Sequence, residues 1–270
     1  MFAPSLLTSL ILLAAADQPD LQAAAARKVK QTIGHRGSCA DRPENTLASF
    51  RRAIEAGATV AETDIRTTKD GQLVLSHDGD LARMTNGAGQ IADQTLAEIK
   101  QLDAGSKFDP KFKDERVPTL REYLELCKGK IDVMLDLKET GEPYAEKIAT
   151  QVRAFGDPKR TVLGIRTVEH AKQFRKLLPE ARQIGLVPTV ESIEEFAKAG
   201  VETIRLWPKW LVDKELVPKV RKLGLQLHLG TEKGTKAQVL EVLPYQPESI
   251  SSDDPAQLIR SLAELAGKNP

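Results

Sequence analysis

The chain has 270 residues, of which 41% are hydrophobic and 29% charged. It can therefore bury a large core and lacks the composition of a disordered chain. Lys and Arg number 39 against 38 Asp and Glu, so there is no global basic field to hold nucleic acid. Aromatic residues are only 4%, which also excludes an extended base-stacking surface. The two cysteines, Cys39 and Cys127, make neither a disulfide framework nor a thiolate metal cluster and read as free thiols.

Residues 6–16, LLTSLILLAAA, form an apolar run too short to span a bilayer. Ala14, Ala15 and Ala16 end it with small residues, as an export leader over 1–16 would require, although no Lys or Arg precedes it. The expected location is then periplasmic or extracellular, and cytoplasmic if the run is not a leader. Residues 17–30 read as a lead-in with an amphipathic helix near 20–30, and 31–270 as one domain. No stable membrane insertion is expected, and the oligomeric state is not legible.

From residue 31 onward, short β-rich runs alternate with amphipathic helices, the pattern of βα units around a parallel sheet. Strands are expected at 32–35, 59–66, 131–137, 161–165, 182–187, 202–206, 225–229 and 249–252. Helices are expected after them at 45–56, 119–128, 144–155, 168–178, 192–199, 213–223, 235–242 and 255–265, with a shorter one at 95–101. A further strand at 72–77 follows the second after only an Asp70-Gly71 turn. A parallel crossover needs a dozen or more residues, so this strand must return antiparallel, and Asp-Gly suits a type I′ hairpin. Setting it aside leaves eight parallel strands, a TIM (β/α)8 barrel with one extra hairpin strand. Gly34-His35-Arg36-Gly37 does not fit the glycine-rich fingerprint of an open doubly wound sheet.

In such a barrel the chemistry sits at the C-terminal ends of the strands. The first strand ends in His35-Arg36. The second carries Glu62 and Asp64, which period two puts on one face. The third carries Asp136 and Lys138 with the same spacing. Close carboxylates repel unless a cation lies between them, and oxygen ligands without thiols point to Mg²⁺ or Ca²⁺. A metal-free network of Glu62 and Asp64 with Arg36 and Lys138 is the competing reading. With Asp70 and Gly71 as the central turn residues, Asp64 faces His77 across the hairpin, a pairing that a bulge would undo. Glu44 reads either as a site residue or as a helix-start acid. His170 is expected to face solvent from its helix.

The order and spacing of His35-Arg36-Gly37, Glu44-Asn45-Thr46, Glu62-Thr63-Asp64, Lys69-Asp70-Gly71, His77-Asp78 and Leu135-Asp136-Leu137-Lys138 resemble the glycerophosphodiester phosphodiesterase family. The match is strong over 32–138 and weaker after that, returning at Ser252-Asp253-Asp254-Pro255. The resemblance implies one divalent cation on Glu62, Asp64 and Asp136, with His35 and His77 as general acid and base. It implies Arg36 and Lys138 on phosphate oxygens, with Glu44 lining the site. It implies hydrolysis of a small-molecule glycerophosphodiester to sn-glycerol 3-phosphate and an alcohol. The chemistry is coherent: a cation, Arg and Lys stabilise the charge gathering on phosphoryl oxygens, and histidines near neutrality move the protons. The attacking hydroxyl, the substrate's own glycerol 2-hydroxyl in the family's proposed mechanism, is left open.

Two departures from the family pattern stand out. Asp136 replaces the usual Glu, drawing the carboxylate back by about 1.5 Å. The strand at 225–229 lacks the usual Trp. There His228 either faces substrate or caps the strand, and Trp207 and Trp210 are candidates for the aromatic wall. The alternatives are a phospholipase D-like enzyme cutting lysophospholipid or sphingolipid headgroups, and a barrel that binds a phosphorylated ligand without turnover.

Overall fold

The computed structural model describes residues 19–268; the candidate leader lies outside the described residues. Helix α1 (Pro19–Lys28) precedes the barrel. The parallel strands are β1 (Gln31–Gly34), β2 (Val60–Thr67), β4 (Asp132–Leu137), β5 (Thr161–Ile165), β6 (Arg182–Gly185), β7 (Thr203–Arg205), β8 (Gln226–Gly230) and β9 (Ser249–Ser252). They run in the order β1-β9-β8-β7-β6-β5-β4-β2, and β1 pairs with β2 to close the ring. This is the expected TIM barrel. Among the described residues, no helix is long and apolar enough to cross a membrane.

Each barrel strand is followed by a helix at its expected place: α2 (Leu47–Glu55), α4 (Leu120–Cys127), α5 (Glu142–Phe155), α6 (Val168–Leu177), α7 (Ile193–Lys198), α8 (Leu216–Lys222), α9 (Lys236–Val242) and α10 (Pro255–Leu265). Several starts are capped by a hydroxyl or carboxylate accepting a backbone N–H, as at Thr46, Thr119, Thr167, Thr235 and Asp254. The outward strand face packs on these helices. Tyr123 and Tyr144 donate to the carbonyls of Ala61 and Ile65 at 2.6 and 2.9 Å, pinning α4 and α5 to β2. Inside the barrel, Ile33, Val60, Met134, Val162, Ile184 and Leu186 form a separate apolar cluster. Period two then places Glu62 and Asp64 beyond Val60, Asp136 and Lys138 beyond Met134, and Arg166 beyond Val162. An apolar floor thus carries a charged mouth.

The hairpin strand β3 (Leu73–Leu75) pairs antiparallel with β2 as Ile65↔Leu75, Arg66↔Val74 and Thr67↔Leu73. This register is one residue off the expected one. Ser76, not His77, lies opposite Asp64, and its N–H donates to the Asp64 carbonyl at 3.0 Å. The cause is the turn. The Thr68 hydroxyl donates to Asp70 Oδ1 at 2.6 Å and accepts from the N–H of Gln72 at 2.9 Å. Gly71 alone takes positive φ, at 75°. The loop is therefore three residues long, with glycine at the left-handed position, and not a type I′ pair. Beyond β3 an excursion carries α3 (Leu96–Ile99) and its own small core of Val74, Leu81, Met84, Ile91, Ile99 and Val117.

His170 also departs from expectation. It is buried against Tyr144 and Phe174, on the apolar stripe of α6 with Ala171 and Phe174, and neither ring nitrogen has a hydrogen-bond partner. Both cysteines are free.

Candidate active site

Strand ends and their following loops bring the predicted residues to one mouth. The chain leaves β1 through Arg36 and Gly37, both at positive φ, 51° and 89°. A side chain at Gly37 would collide with Ser49, whose Oγ would lie 2.4 Å from the added Cβ. This left-handed turn aims the Arg36 N–H at Glu62 Oε2, 2.7 Å away. The Arg36 guanidinium reaches Glu44 at 3.0 and 3.1 Å and lies 3.6 Å from Asp64 Oδ2.

Glu62, Asp64 and Asp136 are buried together, each able to offer one oxygen within 4.8 Å of the others. Asp136 reaches the cluster despite its shorter side chain, because its strand is in register with β2, Asp64 beside Asp136. Burial, then the neighbouring Asp64, pushes the Glu62 carboxyl above its usual range, with His35 opposing. Asp136 is also desolvated, but Lys138 and Arg166 outweigh this and hold it below the usual range. Such a set of hard oxygen donors, short of water, fits a divalent cation.

Lys138 is nearly buried between two acids, its Nζ 2.8 Å from Asp64 and 2.6 Å from Asp136. With Arg36 on Asp64, this makes up the Asp64 half of the competing network, while Glu62 forms no ion pair among the described residues and takes only the Arg36 backbone N–H. Glu44 is not merely a helix-start acid. It accepts from Arg36 and, through both oxygens, from Arg83 at 2.7 and 2.8 Å.

Each candidate histidine is held by a carboxylate. His35 Nδ1 lies 2.6 Å from Asp253 Oδ1 and His77 Nδ1 lies 2.8 Å from Asp78 Oδ1. Such a bond fixes the ring and leaves Nε2 for chemistry. Burial lowers the His35 pKa, but the Asp253 bond and then Glu62 outweigh it, so the ring is easier to protonate than a free histidine. Asp78 is held low by His77 and by Arg83. The Arg66 guanidinium donates to the His77 carbonyl at 3.1 and 2.7 Å. His77, Lys138, Arg66 and Arg166 line one open cleft of about 500 Å³.

Several residues that the motifs do not single out also build the site. Asn45, at φ 55°, donates to Asp64 Oδ2 at 2.9 Å and accepts from the Thr63 hydroxyl at 2.8 Å. Its place in the Glu-Asn-Thr triplet was the available signal. Arg166 grips Asp136 through two nitrogens, at 3.1 and 2.8 Å. Asp253 orients His35, and its place in the Ser-Asp-Asp-Pro junction was the signal. Cys39 joins His35 and Asp253 in a second cluster, where burial, then Asp253, raises its thiol pKa. His228 lies within β8 and does not cap it. It is buried and contacts Ser249 Oγ at 2.9 Å, and burial depresses its pKa. Trp207 stands at the rim beneath Arg205, 4.1 Å from its guanidinium carbon, while Trp210 packs on the outer core.

A closed (β/α)8 barrel with carboxylates, paired histidines and cationic side chains at its mouth defines a phosphoric diester hydrolase. The chain belongs to the glycerophosphoryl diester phosphodiesterase family, whose pattern matches residues 35–256. It is 36% identical over 233 residues to a glycerophosphodiester phosphodiesterase of Caldanaerobacter subterraneus subsp. tengcongensis, covering 84% of this chain and 95% of that protein. Among solved structures, it superposes on a glycerophosphodiester phosphodiesterase from Agrobacterium tumefaciens with a TM-score of 0.75 and 29% identity, over 85% of this chain and 98% of that one. An Oleispira antarctica phosphodiesterase in complex with the product sn-glycerol-3-phosphate superposes with a TM-score of 0.76 and 26% identity, over 88% of this chain and 98% of that one.

Proposed function

We propose that this protein hydrolyses glycerophosphodiesters to sn-glycerol 3-phosphate and an alcohol, with a divalent cation, Mg²⁺ or Ca²⁺, on Glu62, Asp64 and Asp136. The observation that carries the reading is the meeting of three buried carboxylates with two histidines whose Nδ1 atoms are each engaged by a further carboxylate. A cation held by Glu62, Asp64 and Asp136 would supply positive charge to offset that of the phosphoryl oxygens.

The chain's own residues supply the rest. Arg36, turned inward and backed by Glu44, offers N–H groups to a non-bridging oxygen. Lys138 adds positive charge where the phosphoryl group gains negative charge. His35 follows β1 and His77 lies two residues beyond β3, so a diester between them presents one ester oxygen to each. One ring takes the proton of the attacking hydroxyl and the other protonates the departing alkoxide. Asp253 and Asp78 fix which nitrogen is free, and Asp253 favours the charged His35 ring.

The test is incubation of purified protein with glycerophosphocholine, with and without EDTA. Glycerol 3-phosphate should be released, and EDTA should abolish the release. No turnover of any glycerophosphodiester by metal-loaded protein would sink the proposal.

A further inference from the structure

Most positive charge at the barrel mouth is already matched. Arg36 pairs with Glu44, Lys138 with Asp64 and Asp136, Arg166 with Asp136, and Arg83 with Glu44 and Asp78. Arg205 differs. Among the described residues it forms no ion pair, and its Nε is sealed from water without a hydrogen-bond partner. The residue is only half-buried, so its outer nitrogens stay open to a ligand while the sealed Nε disfavours the charge until a nearby anion compensates it. Burial lowers the Arg205 pKa, and Glu62 and Asp136 only partly oppose this from across the lumen.

The place of Arg205 is as informative as its pairing. Strand β7 is four steps from β2 around the ring by either route, β4-β5-β6 or β1-β9-β8. Arg205 therefore faces Glu62 and Asp64 from the opposite wall. Its surroundings hold it ready. The Trp207 ring covers one face of the guanidinium at 4.1 Å. In register on the next strand is His228, which burial keeps neutral. Gly230 lies beside the guanidinium, its Cβ position 3.4 Å from Arg205 Nη2.

The geometry points to a second anion subsite at Arg205, in which the substrate is a phosphodiester whose esterified alcohol carries a further acidic group reaching across the barrel from the scissile phosphate. A carboxylate and a phosphate monoester share the needed chemistry, two oxygens in one plane for a guanidinium fork. The position of the scissile phosphate rests on the proposed phosphodiesterase reading; the anion affinity of Arg205 does not.

The test is isothermal titration of the Mg²⁺-loaded full chain with three ligands on one three-carbon frame. Glycerol 3-phosphate ends in a hydroxymethyl group, 3-phosphoglycerate in a carboxylate and glycerol 1,3-bisphosphate in a second phosphate. One or both doubly acidic ligands should bind at least about tenfold tighter than glycerol 3-phosphate, and which of them does so identifies the acid. In R205Q all three should bind within about twofold of one another, with glycerol 3-phosphate unchanged, while R205K keeps a reduced preference. Equal affinities in the wild type, a comparison that needs no variant to fold, overturn the subsite. A preference that survives in R205Q also overturns it. Turnover of glycerophosphocholine without any such preference leaves the phosphodiesterase reading standing alone. An Arg205-dependent preference without turnover leaves only the subsite.

Discussion

Replacing Arg166 with Gln should tighten divalent-cation binding at the three-carboxylate cluster. Arg166 holds both oxygens of Asp136, at 3.1 and 2.8 Å, and a cation can take Asp136 only by displacing part of that grip. Two charge-assisted hydrogen bonds shielded from water would contribute roughly 3 kcal/mol. The Arg166 side chain is 40% exposed against 10% for Asp136, so solvent screening brings the pair down to about 1 kcal/mol. Releasing that constraint lowers the cation dissociation constant about fivefold. The assay is calorimetric titration of Mg²⁺ and Ca²⁺ into EDTA-stripped protein at fixed ionic strength, for wild type, R166K and R166Q. R166K, which keeps the charge but loses the fork, should fall between the other two. A folded R166Q with unchanged or weaker cation binding would refute the competition.

Other substitutions probe other parts of the structure. His170→Phe should stabilise the fold by about 1 kcal/mol at neutral pH, since it removes two unpartnered buried nitrogens. Burial holds the His170 pKa below its unfolded value near 6.5, so the unfolded chain binds the extra proton as pH falls and stability drops with it. The gain from H170F should therefore grow below about pH 6.5 in urea melts; an equal gain at all pH values would count against this account. If His35 sets a pH–rate limb, Asp253→Asn should move that limb to lower pH, because the carboxylate hydrogen bond that most raises the ring pKa is weakened, leaving Glu62 to hold part of the shift. The stability His35 contributes below its unfolded pKa, lost as pH rises through the folded one, should shrink as well. Asn45→Ala should cost roughly 3 kcal/mol, from left-handed strain and from lost bonds to Asp64 and Thr63. Asn45→Gly should recover about 1 kcal/mol of that in the same denaturation assay.

The barrel was legible because its signal is local and repeated. Each β-rich run and amphipathic helix announces itself, and the short turn at Asp70-Gly71 left only an antiparallel return. The hairpin register was not legible, since it hung on one hydroxyl. Thr68 draws the next three residues into the loop and moves His77 one place along. The three carboxylates and Lys138 followed from period two. Arg166, Arg205 and Asp253 did not, because each comes from a different later strand end, and only closure of the ring brings them to the same mouth. His170 was misplaced for a simpler reason. A histidine within a polar-looking helix sequence gives no sign of which neighbours close over it.

The small core under the excursion after β3 has a consequence for working cycles of the site. Leu81, Met84, Ile91 and Ile99 pack with one another and with Val74 and Val117, apart from the main barrel core, so this segment is expected to open locally more readily than the barrel. Arg83 belongs to that segment, and it is the residue that ties together Glu44, behind the Arg36 arm, and Asp78, behind His77. Each opening would release both tethers at once. The expected consequence is that the Arg36 and His77 side chains lose order together when the segment opens. Amide hydrogen exchange of residues 81–99, in wild type and in Arg83→Ala, would read that opening directly.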